Sequence, residues 1–349
     1  MKELSIGKNE AGQRFDKYLA KLLPNAPKSF IYKMLRKKNI TLNGKKALGN
    51  EILALSDSVR LFFSDETYAK FSEEVSAKTP TFNTFDFASC VVYEDEDILI
   101  VNKPPGILSQ PERAGGDSLA SDLTYYLLSS GKISQEELRT FHPAPVNRLD
   151  RNTSGLVLCG KSLKGSQFLS EIIKSRDVKK HYLTIVSGEI KDGIYEAYLK
   201  KDPAANKVTI RRNKGQGFSH IATGVRVLSK AGIYSLLDID LITGRTHQIR
   251  SHLAWLGAPV IGDVKYGDRE LAGILKKETG LWHHFLHAER IIFPTAEGDF
   301  SYISGMTVKA PLTSEEERIL AKLGLSQDTP GEYIPQSINQ KEVNASDES

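Results

Sequence analysis

Asn147-Arg148-Leu149-Asp150-Arg151-Asn152-Thr153-Ser154-Gly155 runs without a break into the apolar stretch Leu156-Val157-Leu158-Cys159. A turn-rich segment that feeds a short apolar run reads as a loop entering a buried strand. Its one carboxylate, Asp150, stands between Arg148 and Arg151. Neighbouring guanidinium groups favour the ionised carboxylate, and an anion on a loop at a sheet edge can act as a nucleophile. Taken locally, the same residues also suit an ion-paired structural turn, with Thr153, Ser154 and Gly155 as ordinary turn chemistry.

Working outward, Cys90-Val91-Val92-Tyr93 and Ile98-Leu99-Ile100-Val101-Asn102 flank the acidic turn Glu94-Asp95-Glu96-Asp97, which predicts a hairpin ended by Lys103-Pro104-Pro105-Gly106. A helix is predicted over 162–174. Lys179 to Gly188 reads as a strand with Tyr182, Thr184 and Val186 on one face, and spacing alone assigns Tyr182 to the core. Tyr234 to Leu241 is another strand, in which Asp238 and Asp240 share a face and are expected as an exposed polar face. Thr243-Gly244 turns it into a helix, Arg245 to Leu256, stopped by Gly257; helical phase sets His247, Arg250 and Ser251 on adjoining positions. Short strands and helices without a regular strand-helix repeat predict an α+β domain with a mixed sheet.

The first 64 residues differ in kind. Between Asp16 and Glu51 there is no acidic residue, yet nine cations occur: Lys17, Lys21, Lys28, Lys33, Arg36, Lys37, Lys38, Lys45 and Lys46. Phe15, Tyr18, Leu19, Leu22 and Leu23 recur at helical spacing up to Pro24, and a second helix is expected from Ser29 as its N-cap. Asn43-Gly44 after Ile40-Thr41-Leu42 is a strong hairpin signal, and Val59, Leu61 and Phe63 alternate as a strand. A helix-helix-hairpin unit with an uncompensated basic face suits a phosphate backbone, through Lys28, Lys33, Arg36, Lys37, Lys38 and Lys45.

At 349 residues the chain has room for about two domains of ~100 to 200 residues each. The predicted organisation is a basic domain over 1–64, a linker over 65–86, a catalytic domain over 87–325 and a disordered tail over 326–349. Its composition is that of a globular protein, with no apolar run near the ~20 residues of a membrane span and no secretory leader pattern, which points to the cytoplasm. The two cysteines, Cys90 and Cys159, lie in apolar runs and are expected as buried thiols. His283, His284 and His287 lack the carboxylate spacing of a His-Glu-x-x-His metal site, and Gly215-Gln216-Gly217 lacks the third glycine of a dinucleotide loop. Neither a metal nor another cofactor is implied.

Five blocks together resemble the RluA family of pseudouridine synthases. They are the Asn-Lys-Pro turn at 102–104, Arg148-Leu149-Asp150 with Thr153-Ser154-Gly155, Lys180-His181-Tyr182, Gly244-Arg245-Thr246-His247-Gln248-Ile249-Arg250, and Gly262-Asp263 with Tyr266-Gly267 and Phe285-Leu286-His287-Ala288. Asn147 stands where the family usually has a His before its Arg-Leu-Asp. The segment from Gly12 to Gly44 resembles the RNA-binding domain named after the fourth small-subunit ribosomal protein. The resemblance implies a largely antiparallel catalytic sheet and isomerisation of uridine in RNA, most readily in large-subunit ribosomal RNA; a monomer is expected. The resemblance makes Asp150 the nucleophile, Arg250 its partner, and Tyr182 a ring that stacks on the uracil and exchanges a proton. It makes Arg148, Arg245, His247 and Gln248 substrate-pocket residues, with Arg148 filling the gap left by a flipped nucleotide. Whether Asp150 attacks the ribose, adds to the base or assists a glycal route stays open. Alternatives are a transfer-RNA pseudouridine synthase, a noncatalytic RNA-binding or ribosome-assembly factor, and a nucleotide hydrolase.

Overall fold

A computed structural model describes residues 1–72, 85–113, 116–202 and 207–327. The first unit comprises β1 (Lys2–Ser5), α1 (Phe15–Leu22), α2 (Lys28–Arg36), β2 (Ile40–Leu42), β3 (Lys45–Lys46), β4 (Ser58–Leu61) and α3 (Asp65–Phe71). Its four strands pair in the order β1-β4-β2-β3. Phe15, Tyr18, Leu19 and Leu22 bury one face of α1, while Ile31, Met34 and Leu35 bury that of α2. Burying each large apolar side chain contributes roughly 1.5 to 3 kcal/mol. The turn between β2 and β3 places Asn43 and Gly44 at φ 51° and 71°, the left-handed pair that a tight hairpin requires.

Two expectations for this unit are corrected. α2 begins at Lys28 behind Pro27, with no side-chain cap, so Ser29 lies inside the first turn. The region expected as linker starts as a helix, α3, capped by Ser64, which accepts from the Thr67 amide at 3.2 Å. Tyr68 is buried, and the Phe71 ring lies 4.3 Å from that of Phe30, so α3 belongs to the first unit's core. Two aromatics in seven residues are too few to show a period. The remainder of the expected linker, 73–84, and the tail from 328 lie outside the described residues. The chain rejoins the second unit at Phe85 and Phe87, which pack into its main core. The Glu10 loop meets that unit, with Thr140 Oγ1 donating to Glu10 Oε1 at 2.5 Å and the Leu163 amide to Asn9 Oδ1 at 3.3 Å.

The second unit holds β5 (Val91–Glu94), β6 (Ile98–Lys103), α4 (Leu119–Ser129), β7 (Ala144–Pro145), β8 (Ser154–Gly160), α5 (Leu163–Ser175), β9 (Lys179–Ser187), β10 (Gly193–Asp202), β11 (Lys207–Arg211), β12 (Ser219–Ala231) and β13 (Tyr234–Asp240). It continues through α6 (Gln248–Trp255), α7 (Arg269–Thr279), β14 (Leu286–Ile292), β15 (Thr307–Lys309) and α8 (Ser314–Lys322). One eleven-stranded sheet runs β11-β10-β12-β13-β9-β14-β8-β6-β5, with β15 beside β14 and β7 beside β8. Every pairing is antiparallel except β14 with β8, so the sheet is mixed and largely antiparallel.

That parallel contact sits directly after the Asp150 loop. Ser154 pairs with His287 and Gly155 with Ala288. Gly155 has φ 106°, and a Cβ there would lie 2.3 Å from the Ala288 carbonyl oxygen, so only glycine lets β14 approach. All of β8 is buried. Cys159 is likewise buried, but Cys90 is only half-buried. Asp238 is no exposed polar face: it pairs with His181 at 2.9 Å and Arg290 at 3.0 Å.

Candidate active site

The loop between β7 and β8 is fastened on all sides before Asp150 can be aimed. Asn147, which stands where the related motif has a His, accepts the Leu158 amide at 2.7 Å and donates to the Leu156 carbonyl at 3.4 Å. Ser109, buried, exchanges two hydrogen bonds of 3.0 Å with the Leu149 backbone. Thr153 Oγ1 lies 2.9 Å from His284 Nε2. Ser154 Oγ donates to Glu316 of α8 at 2.5 Å and lies 2.8 Å from His287 Nδ1, while His287 Nε2 donates to the Ala310 carbonyl at 3.1 Å. Beneath the loop the fully buried Lys103 donates to the carbonyls of Pro104 at 2.8 Å and Arg151 at 3.1 Å. Burial pushes the Lys103 ammonium down to about 7, against the opposing pull of Asp150 and Glu316. Each of the three clustered imidazoles has a protein partner, since His283 Nδ1 lies 2.9 Å from the His284 carbonyl.

Asp150 emerges with its side chain 27% exposed in a cleft of about 880 Å³. The cation that reaches it is Arg250, whose Nη1 donates to Asp150 Oδ2 at 2.7 Å. The flanking Arg151 pairs instead with Glu112 at 3.6 Å, and Arg148 is exposed on the cleft wall. Arg250 presents its two-pronged fork not to Asp150 but to Asp263, through Nε at 2.7 Å and Nη2 at 2.9 Å. Asp263 also accepts the amides of Lys265 at 2.9 Å and Tyr266 at 3.2 Å. Burial alone would raise the Asp263 carboxyl, yet the Arg250 fork and the Lys265 amide hold it below its usual range. Burial likewise opposes the Arg250 charge, but its bonds to Asp263 and Asp150 hold it cationic. Asp263 thus fixes the guanidinium, leaving one arm for Asp150. Sequence reasoning placed Asp263 in a block without a role; its spacing after Gly262 was the available signal.

His247 lies just before α6 in the left-handed conformation, φ 53°. Its Nε2 is 3.9 Å from Asp150 Oδ1, and its Nδ1 is 2.8 Å from the Tyr266 hydroxyl, which accepts the Val208 amide at 3.2 Å. Burial, then Arg250, Lys265 and Lys201, push this imidazole down and favour its neutral form, against the pull of Asp150. Tyr182 lines the cleft from β9 and is 6% exposed. Burial and then the Asp150 charge push its phenol up, which suits a stacking face and hydrogen-bond donor better than a proton acceptor. Gln248 is committed to the protein. It donates to the Ala222 carbonyl and Thr223 hydroxyl, both at 3.1 Å, and accepts from Thr243 at 2.9 Å and the Arg245 amide at 3.1 Å. It therefore braces the start of α6 and does not offer its amide to a ligand. Arg245, Lys180 and Lys201 add cations to the cleft lining. Lys28, Lys33, Arg36, Lys37, Lys38 and Lys45 are exposed on the first unit.

An anion held by a buried cation, an aromatic ring beside it and a basic rim form a site for a polyanionic substrate whose reacting part enters the cleft. A profile of the family described as RNA pseudouridylate synthase matches residues 97–255. The chain is 32% identical over 327 residues to "Ribosomal large subunit pseudouridine synthase C" of Vibrio parahaemolyticus, across 92% of this chain and 96% of that one. It is 32% identical to the protein of the same name from Escherichia coli, across 93% and 97%. With "Ribosomal large subunit pseudouridine synthase D" of Borreliella burgdorferi it shares 31% identity, across 73% and 77%. The solved human "RNA Pseudouridylate Synthase Domain Containing 4" shares the fold, with a TM-score of 0.55 and 20% identity over 69% of this chain and 95% of that one. With the motif blocks gathered around one cleft and 32% identity to the two synthase C proteins along 92% and 93% of its length, the chain belongs to the RluA family of RNA pseudouridine synthases.

Proposed function

We propose that this protein isomerises particular uridines of large-subunit ribosomal RNA to pseudouridine, acting as a cytoplasmic monomer with Asp150 as its nucleophile. The observation that carries the reading is the Asp150–Arg250–Asp263 relay, in which a buried carboxylate fixes the guanidinium that aims an accessible one. A uracil within a stack hides its glycosidic bond, so the target nucleotide is flipped into the cleft, at a cost of a few kcal/mol that phosphate contacts offset. Asp150 acts as an anion on the flipped nucleotide. The bond from ribose C1′ to N1 breaks, the ring turns, C5 bonds to C1′, and the proton on C5 leaves. Tyr182 stacks on the uracil, Arg245 and Lys180 meet phosphates, and Arg148 fills the vacated stack. The basic face of the first unit docks flanking RNA. The names borne by the similar bacterial proteins support ribosomal over transfer RNA.

The test pairs mapping with one substitution. Pseudouridines mapped in ribosomal and transfer RNA from cells with and without the gene should differ at defined large-subunit positions. Asp150→Asn retains shape while removing charge, so the purified variant should lose pseudouridine formation and still bind RNA. Full activity in that variant would remove Asp150 from the chemistry, and unchanged maps would favour a noncatalytic RNA-binding role.

A further inference from the structure

Trp282 is a large aromatic side chain left 49% exposed, and it lines the same cleft as Asp150. Two anchors bring it beside the Asp150 loop. On one side, its chain neighbours His283 and His284 lead to Thr153, through the 2.9 Å contact of His284 Nε2. On the other, the indole rests on the turn at Gly106, where an added Cβ would lie 3.7 Å from its ring, and the Gly106 amide donates to the Arg151 carbonyl at 2.9 Å. The His283 ring meets the indole edge to face, with centroids 4.5 Å apart and an interplanar angle of 88°. An indole supported in this way keeps its orientation without substrate and still presents surface to solvent.

Resting on the pseudouridine synthase reading, we infer that Trp282 is a nucleobase-stacking subsite for a nucleotide adjacent to the flipped uridine. The target uracil reaches the buried Tyr182, so its chain neighbours must remain at the mouth, where Trp282 lies. Arg148 closes the vacated stack on one side of the target, and the base on the other side finds its stacking partner on the indole, as any base can because each has a π face. Arg245 and Lys180, the groups assigned to phosphates, belong to the same lining.

The chain has two tryptophans, so Trp255→Phe leaves Trp282 as its single indole reporter. Two probes are used: a hexauridine oligonucleotide, and an RNA hairpin carrying a uridine mapped as above. Indole fluorescence should be quenched by both, and an abasic site next to the target should abolish the quench in the hairpin. Trp282→Ala and Trp282→Leu should weaken hairpin binding roughly 5- to 150-fold, the range for losing one stacked base, with the loss larger in affinity than in kcat. Trp282→Phe should recover most of the affinity. Wild-type affinity in Trp282→Leu, or a quench that survives abasic sites on both sides of the target, would reduce the indole to an apolar cover for the Gly106 turn. Quenching by hexauridine without pseudouridine in any RNA would sustain the stacking subsite while overturning the enzymatic reading.

Discussion

Arg250→Lys separates charge from aim. The guanidinium reaches two carboxylates with three hydrogen bonds: one arm to Asp150 at 2.7 Å and a fork to Asp263 at 2.7 and 2.9 Å. A lysine ammonium is a point charge on a flexible stem and cannot present that fork. It must choose between the carboxylates. Asp263, with a side chain 1% exposed, is destabilised more by standing unpaired than Asp150 at 27%, so the ammonium stays with Asp263 and Asp150 is released. Removing one preorganised charged hydrogen bond in an active site costs about 2.7 to 4 kcal/mol, so kcat should fall roughly 10²- to 10³-fold. Folding stability should fall by up to about 3 kcal/mol, short of the ~3 to 5 kcal/mol for removing a partner outright, because the charge remains. The assay is single-turnover pseudouridine formation well below the variant's melting temperature, with affinity measured on the same RNA. Affinity is spread over many phosphates and should change less than about threefold. Turnover within a few-fold of wild type would refute aiming by the guanidinium, and equal drops in turnover and affinity would make Arg250 a docking residue.

Two further outcomes follow from other parts of the molecule. Reversing Lys33, Arg36 and Lys37 to Glu on exposed positions at and after the end of α2 should weaken RNA binding and flatten its salt dependence, by up to about 0.7 to 0.9 in log-log slope for each phosphate no longer neutralised; unchanged slopes would remove this face from RNA docking. Lys103 has a folded pKa depressed to about 7 from 10.5, so between those values the unfolded chain holds a proton that the folded chain lacks, and stability conferred by this site rises with pH. Denaturation midpoints of wild type and Lys103→Met at pH 6.5 and 9 should therefore diverge in favour of wild type, by at most about 1.4 kcal/mol per pH unit. Parallel profiles would mean that the Lys103 ammonium stays charged in the fold.

Elements with a strong local period were legible in the chain. The apolar run at 156–159 became the buried β8, the acidic turn at 94–97 joined β5 to β6, and Asn43-Gly44 closed its hairpin. Weak or absent periodicity hid others. α3 contributes only Tyr68 and Phe71 to the first unit's core, too few apolar positions to mark a helical period, so its seven residues resembled a polar connection. Asp238 looked exposed because its partners, His181 and Arg290, are 57 and 52 residues away.

The sequence by itself determined the turn that carries the carboxylate, the strand that carries the aromatic, the helix that carries the arginine and the basic character of the first unit, while only the family resemblance put the three in one cleft. Those elements follow from short-range order, because turn chemistry, period and charge runs act between neighbours along the chain. Tertiary structure alone decided how they are used. Asp150 and Arg250 are 100 residues apart, Ser154 and Glu316 162 apart, and no local pattern says that the fork of Arg250 belongs to Asp263 while one arm belongs to Asp150. That division arises because Asp263 is buried and Asp150 opens to the cleft, and burial is a property of packing. The same holds for Trp282, which the fold leaves half exposed on the lining of the Asp150 cleft.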